Sequence, residues 1–129
     1  MSIDDVAGKA DNLEKKATDC LNGDGNACYS FHDDVDNAVV KGGIAYVKQI
    51  FQTMHSDSSK SHLPQVDLKD KGDSVEAKIR LPFPDNVTSL SLGSISIQAS
   101  PDKVSTKFKD RFGMSGDQIG SSPSGDYYK

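Results

Sequence analysis

The chain has 129 residues, which is the size of one domain and long enough to form a hydrophobic core without disulfides or metals. Its formal net charge of −4 argues against a dedicated binder of duplex nucleic acid, because such proteins need a basic surface. No run of residues approaches the roughly 20 apolar positions of a membrane span, and the acidic start lacks the apolar stretch of a secretory signal. We therefore expect a cytoplasmic protein that is neither secreted nor bound to a membrane.

The charge is unevenly distributed along the chain. Residues 1–36 contain nine Asp/Glu and three Lys, a local net charge of 3 − 9 = −6. Residues 100–111 contain three Lys, one Arg and two Asp, a local net charge of 4 − 2 = +2. We therefore expect an acidic N-terminal part and a mildly basic element near the C-terminus.

The first predicted element is a helix. Apolar residues recur at spacings of three and four from Ile3 to Cys20, which places them on one helical face. Gly23 and Gly25 are expected to end this helix. The apolar face offers a surface for pairing with another helix.

A second helix is predicted from about Ser30 to Met54, with two adjoining apolar stripes. The first stripe contains Phe31, Val35, Ala38, Val39, Gly42, Tyr46 and Ile50. The second, which we take as a dimer or partner surface, contains Val40, Ile44, Val47 and Phe51 and continues to Met54. Gly42 and Gly43 each cost roughly 1 kcal/mol relative to Ala within a helix. Either a neighbour packs closely there, or the helix breaks into two.

Period-two patterns follow a polar loop at residues 55–64. Two segments alternate apolar and polar residues on either side of a DKGD turn, with apolar positions at Val66, Leu68, Val75, Ala77, Ile79 and Leu81. They predict half-buried antiparallel strands. The stretch TSLSL-GS-ISIQA then predicts a hairpin with Gly93-Ser94 as its two-residue turn. A turn or a bulge is needed there to keep the large apolar residues on one face.

The sequence SPDKVSTKFKDRFG predicts a final helix. Ser100 suits its N-cap, Pro101 suits its first turn, and Gly113 would end it. Residues 114–129 are rich in Gly and Ser, which predicts a flexible tail. Residues 1–113 are thus predicted to form a single α+β domain with two N-terminal helices, about four antiparallel strands and one C-terminal helix. The strand order stays open.

The segment between the first two helices carries oxygen-bearing side chains at alternate positions. Read as the calcium loop of an EF-hand, its ligands would be Asn22, Asp24, Asn26, Ser30 and Asp33. Ala27 stands where that loop needs glycine, Asn22 is uncharged, and Asp33 is shorter than the usual glutamate. The segment therefore predicts a turn between helices, with a calcium site at Asn22, Asp24, Asn26 and Asp33 as the alternative. We expect no other metal and no cofactor.

Cys20 and Cys28 flank this turn. In a reducing cytoplasm they are more often free thiols, and a disulfide would form only after oxidation. With His32 they would supply three zinc ligands, but the paired spacing and a fourth ligand are missing. His32, Asp33 and Asp34 are residue types for acid–base catalysis, yet consecutive helical residues point in different directions. We find no catalytic constellation and expect a protein that is not an enzyme.

The last predicted helix has a basic side. Lys103, Lys107 and Arg111 recur every four residues, whereas Lys109 is close in sequence but would point elsewhere. Such a stripe can contact phosphate or an acidic protein surface. These four residues are therefore candidates for weak contact with RNA or with an acidic partner.

Three stretches together suggest a family. They are the acidic helical start MSIDDVAGKADNLEKKATDCLNGDGNACYSFHDDVDNAVV, the β part KIRLPFPDNVTSLSLGSISIQA and the end SSPSGDYYK. With them, the whole chain resembles the minor inner-capsid assembly and packaging factors of double-stranded RNA bacteriophages, the cystoviruses. The resemblance implies a non-enzymatic, dimeric protein of the virion or the host cytoplasm that joins the capsid shell or the viral polymerase and touches RNA. It also allows an α/β topology as an alternative fold.

Three functional hypotheses follow. The leading one is a protein–protein interaction module that serves an assembly and forms a homodimer. The second is a small ligand- or calcium-binding α+β domain that uses the loop at residues 22–33. The third is RNA binding through the last helix.

Overall fold

The structure, a computed structural model, describes residues 3–82, 92–110, 115–121 and 127–128. Two helices precede six strands in these residues. The helices are α1 (Ile3–Leu21) and α2 (Gly25–Asp57), and the strands are β1 (Gln65–Asp70), β2 (Val75–Arg80), β3 (Leu92–Ala99), β4 (Val104–Asp110), β5 (Ser115–Ser121) and β6 (Tyr127–Tyr128). The strands form one antiparallel sheet in chain order. The predicted α+β class is confirmed, and the α/β alternative is wrong because every described strand pair is antiparallel.

Helix α1 forms where the spacing of apolar residues predicts it. Its apolar face is buried against α2, and the buried residues are Val6, Ala10, Leu13, Ala17, Cys20 and Leu21. The helix ends at Leu21, and Gly23 just beyond it has a φ of 106°, in the left-handed region that glycine adopts readily.

Helix α2 begins five residues before the predicted start. Asp24 is its N-cap, and the Asp24 carboxylate accepts hydrogen bonds from the backbone N–H groups of Asn26 and Ala27. Gly43 has φ 74° and ψ −173°, so the helix breaks into two segments there, as one of the two sequence alternatives predicts. A Cβ at Gly42 would lie 2.6 Å from the Tyr46 side chain, which shows that a neighbour also packs closely.

The sheet has one face against the helices and one face turned away from them. The side chains of the sheet that point toward the helices are buried with those of α2 in one core. These buried sheet residues are Val66, Val75, Ala77, Ile79, Ile95, Ile97, Ala99, Val104, Thr106 and Phe108. Strands β1 and β2 agree with the predicted alternation of residues. The register pairs Val66 with Ile79 and Leu68 with Ala77, and the DKGD turn joins the two strands.

The predicted hairpin turn at Gly93-Ser94 is wrong. Both residues lie inside β3, which pairs with β2 on one side and β4 on the other. A register shift between Leu92 and Ser94 marks a bulge at this glycine, where the missing side chain favours an irregular backbone. The sequence alternative of a bulge, instead of a turn, is therefore the one that the described residues contain. The predicted first arm of the hairpin, residues 88–91, lies outside the described residues.

The predicted C-terminal helix is also wrong for the residues described. Ser100 and Lys103 exchange backbone hydrogen bonds of 2.9 and 3.4 Å, so SPDK forms the tight turn between β3 and β4. Serine followed by proline and aspartate suits a β-turn as well as a helix start. Residues 104–109 then alternate buried and more exposed side chains, which is the period of a strand. Residues 111–114 lie outside the described residues.

Two described strands lie in the segment for which the sequence predicts a tail. β5 pairs with β4, and β6 pairs with β5 through Gly120 and Ser121. These strands extend the sheet beyond the predicted limit of the domain at residue 113. The division into residues 1–113 and 114–129 stays a prediction.

Candidate functional site

The sheet face turned away from the helices, here called the outer face, carries a row of lysines. In the register of the sheet, Lys78 and Lys107 lie on either side of Ser96, with their Cα atoms about 10 Å apart. Lys69 and Lys109 line the same face, together with Gln98 and Ser105. The strands therefore place four ammonium groups on one open surface of small polar residues.

The acidic residues of the outer face are engaged by other cations. Arg80 lies 3.4 Å from the Asp67 carboxylate, and Lys71 lies 2.8 Å from the Glu76 carboxylate. The hydrogen bond from Lys71 holds the pKa of Glu76 below its usual range. Lys69, Lys78, Lys107 and Lys109 form no ion pair with another described residue. Lys69 and Lys78 nevertheless lie opposite Glu76 and Asp67 in the register of the sheet, and the charge of Lys69 helps to lower the pKa of Glu76.

The residues of the predicted basic stripe are arranged differently from the prediction, because they lie in or next to a strand and not in a helix. Lys107 and Lys109, which a helix would point in different directions, share the outer face at a spacing of two. Lys103 lies in the turn before β4, and Arg111 lies outside the described residues. Sequence reasoning missed Lys69 and Lys78. The sequence pattern could have identified them, because each is a polar residue that alternates with apolar residues in a predicted strand.

Part of the acidic charge of the helical layer is used within the molecule. The Asp34 carboxylate on α2 accepts hydrogen bonds from Lys16 and from Asn12, the latter at 2.7 Å, and so joins the two helices. Tyr46 donates a hydrogen bond to Asp5, which lowers the pKa of Asp5. Burial and the same hydrogen bond raise the pKa of Tyr46 to about 12.

The predicted calcium loop is not assembled around one point. Asp24 and Asp33 are separated by eight residues of α2 counted from Gly25, a rise of about 12 Å. Asp24 is engaged as the N-cap, Asn26 lies in the first helical turn, and Asn22 lies in the short connection before it. Calcium binding by Asn22, Asp24, Asn26 and Asp33 stays a prediction that this arrangement does not favour.

Cys20 and Cys28 form a disulfide, which corrects the expectation of free thiols. The bond joins the end of α1 to the beginning of α2, and both residues are buried. Its physical cause is the tight connection between the helices, which brings the two Cα atoms within 4.7 Å. A disulfide leaves neither sulfur free as a zinc thiolate.

His32 is a core residue that joins the helices to the sheet. It is fully buried, and its Nδ1 lies 2.7 Å from the Thr106 hydroxyl oxygen on β4. Burial lowers the pKa of His32. The imidazole therefore has a structural position, and it does not converge with Asp33 and Asp34 on a reacting centre.

The predicted partner surface on α2 is only partly available to a partner. Val47 and Phe51 are 1 % and 0 % exposed because they pack in the core of the same chain. Ile44 is partly buried against that core, whereas Val40 is 58 % exposed. The kink at Gly43 lies between these regions. Of the four predicted partner residues, only Val40 and part of Ile44 are accessible to a partner.

A second polar site lies where the middle of α1 meets the end of α2. Asp11, Glu14 and Asp57 bring one carboxylate oxygen each within 4.8 Å of the others. Burial, a hydrogen bond shared with Asp57, and the nearby Asp11 charge raise the pKa of Glu14 from 4.5 to about 8. Sequence reasoning missed this site, because Asp57 follows Glu14 by 43 positions and only the fold brings them together.

No family model, curated protein or solved structure matches the chain. Neither described helix combines the length and apolar character needed to cross a membrane. The fold and the outer face define the protein by class: a two-layer α+β protein with helices on one side of an antiparallel sheet and a basic surface on the other.

Proposed function

We propose that this protein is a binding module that serves an assembly, is not an enzyme, and contacts RNA through the outer face of its sheet. The observation that supports the proposal is the group of four lysines on the outer face that lack an ion-pair partner among the described residues. The resemblance to cystovirus packaging factors would place the assembly in an inner capsid, in the virion or the host cytoplasm. The capsid shell or the viral polymerase would be the protein partner.

The chemistry of the outer face favours contact with the phosphate backbone. The side chains that the structure describes between the lysines, Ser96, Gln98 and Ser105, are polar and uncharged. Ammonium groups attract phosphates without regard to base sequence, and they release counterions when they bind. We therefore expect binding that is independent of base sequence and sensitive to salt.

Fluorescence anisotropy with a labelled single-stranded RNA of about 20 nucleotides tests this proposal at about 50 mM salt. We expect the double variant Lys78→Ala/Lys107→Ala to bind at least about ten-fold more weakly than the wild type. The matched control is Lys9→Ala/Lys41→Ala, which removes the same charge from the helical layer and should change binding little. The proposal fails if the wild type does not bind, or if both double variants lose affinity equally.

A second candidate function is protein docking on α2, which the exposure of Val40 favours. Val40 is 58 % exposed on α2 and would be the apolar contact with a second copy of the chain in the predicted homodimer. We expect sedimentation at high micromolar concentration to show a dimer for the wild type and a monomer for Val40→Asp. The control Gln52→Glu adds a negative charge at another exposed position of the helix. A wild-type monomer, or a dimer that tolerates Val40→Asp, would refute the assignment.

A further inference from the structure

An open cleft of about 400 Å³ lies between α1 and the end of α2. Its walls include the carboxylates of Asp11, Glu14 and Asp57. One oxygen from each carboxylate lies within 4.8 Å of the other two. Two oxygens that each lie about 2.4 Å from the same calcium ion are at most about 4.8 Å apart. The three groups can therefore reach one ion together.

Glu14 is the residue that distinguishes this cleft from an ordinary acidic surface. Its side chain is 4 % exposed, yet Oε2 has no hydrogen-bond partner among the described residues. A buried carboxylate oxygen without a donor is costly, and native proteins compensate it with a donor, a proton or a cation. Because Glu14 lines the cleft beside two further carboxylates, a cation bound there would satisfy this oxygen.

We propose that Asp11, Glu14 and Asp57 bind a hard divalent cation, of which Ca²⁺ is the best fit. Calcium takes oxygen ligands in irregular geometry and accepts water at its remaining positions. The open side of the cleft supplies room for those waters. This site is distinct from the predicted loop at residues 22–33 and does not depend on RNA or protein binding by the outer face.

The basic groups around the cleft leave room for the ion. Lys60 Nζ lies 3.6 Å from the Asp57 carboxylate, but the Lys60 side chain is 59 % exposed and can turn into solvent. Lys15 and His62 also line the cleft, together with the carboxylate of Asp19. With Glu14 protonated at neutral pH, three carboxylates face two lysines and one imidazole, and the ionisation of Glu14 above pH 8 adds a fourth negative charge. A cation is therefore the ligand that the cleft attracts.

Calcium titration of the metal-free full chain tests the site by calorimetry and by thermal unfolding. Near pH 9 Glu14 is ionised, so that a proton does not compete with the ion. We expect saturable binding by the wild type and a rise in Tm as calcium saturates it. Glu14→Gln keeps the shape of the side chain and removes its charge, so it should fold and lose binding at least about ten-fold. Asp11→Asn, at an exposed position, should weaken binding without changing the fold.

The control is Asp33→Asn, which removes a carboxylate from the predicted loop and should leave calcium binding unchanged. Sodium chloride at matched ionic strength separates specific binding from screening. Two results would overturn the proposal. One is no heat and no Tm shift for the wild type up to about 10 mM calcium. The other is equal calcium affinity in the wild type and Glu14→Gln.

Discussion

The helical layer and the outer face of the sheet use their charges differently. In the helical layer, Asp34 joins the two helices through Lys16 and Asn12, and Asp24 caps α2. On the outer face, the lysines described above have no ion-pair partner among the described residues. Outside the carboxylate cleft, the difference separates charges that hold the fold from charges that lack an ion-pair partner among the described residues. Substitutions should therefore lower stability in the first region and affinity in the second.

The largest effect on stability is expected at the interface between the helices and the sheet. Phe51 is fully buried there, and Phe51→Ala should lower the free energy of unfolding by about 3–5 kcal/mol because it leaves a cavity. Val40→Ala on the exposed side of the same helix is the control and should change it by less than about 0.5 kcal/mol. Urea unfolding measures both. Equal effects would show that α2 does not bury the face described here.

The pH dependence of stability tests the burial of Glu14. The pKa of Glu14 is raised from 4.5 to about 8, so its contribution to stability is present below pH 4.5 and is lost as the pH rises to 8. His32 acts in the opposite direction: its pKa is lowered from 6.5, so its contribution is lost as the pH falls below that value.

Subtracting the unfolding free energies of the wild type and Glu14→Gln removes the contribution of His32. With EDTA present, we expect Glu14→Gln to gain on the order of 2–4 kcal/mol relative to the wild type between pH 5 and pH 8. A difference that does not change with pH would mean that Glu14 is solvated in the folded protein.

The disulfide of the helical layer should contribute about 2–3 kcal/mol, because it closes a loop of nine residues in the unfolded chain. Reduction of the wild type should therefore lower the free energy of unfolding by that amount. The control is Cys20→Ala/Cys28→Ala, whose stability should not respond to the reductant. Equal stability of the wild type with and without reductant would show that the disulfide does not stabilise the fold.

The smallest effects compare one charge from each region directly. Asp34→Ala removes a partly buried contact between the helices and should cost about 0.5–1 kcal/mol. Lys107→Ala removes an exposed charge without an ion-pair partner and should change stability by less than about 0.3 kcal/mol. Chemical unfolding of both variants under the same conditions decides the matter. A larger cost for Lys107→Ala would contradict the division between the two regions.

The sequence predicts the helices, β1 and β2 because their periods of 3.6 and 2 are unambiguous. It does not predict β4, since Ser100-Pro101 suits a turn and a helix start equally. Basic residues four positions apart also share a face in a helix and in a strand alike. The large apolar residues before and after Gly93 share one face only if the strand alternation is interrupted there, and either a turn or a bulge would interrupt it. The basic outer face follows once β4 is known to be a strand, because Lys78 and Lys107 then lie in register.

Two further features depend on the fold and leave no local signal. The Cys20–Cys28 bond depends on how tightly the two helices are connected. The cluster of Asp11, Glu14 and Asp57 depends on the end of α2 returning to the middle of α1. The spacing of these residues along the chain does not show that they lie close together in the fold.

The salt dependence of RNA binding tests the central claim, that the outer face is the contact surface. For single strands, the slope of log K against log salt is about −0.7 for each phosphate neutralised. We predict that Lys78→Ala/Lys107→Ala makes the slope less steep than that of the wild type by about 1.4, while Lys9→Ala/Lys41→Ala leaves it unchanged. Identical slopes for the three proteins would contradict the account.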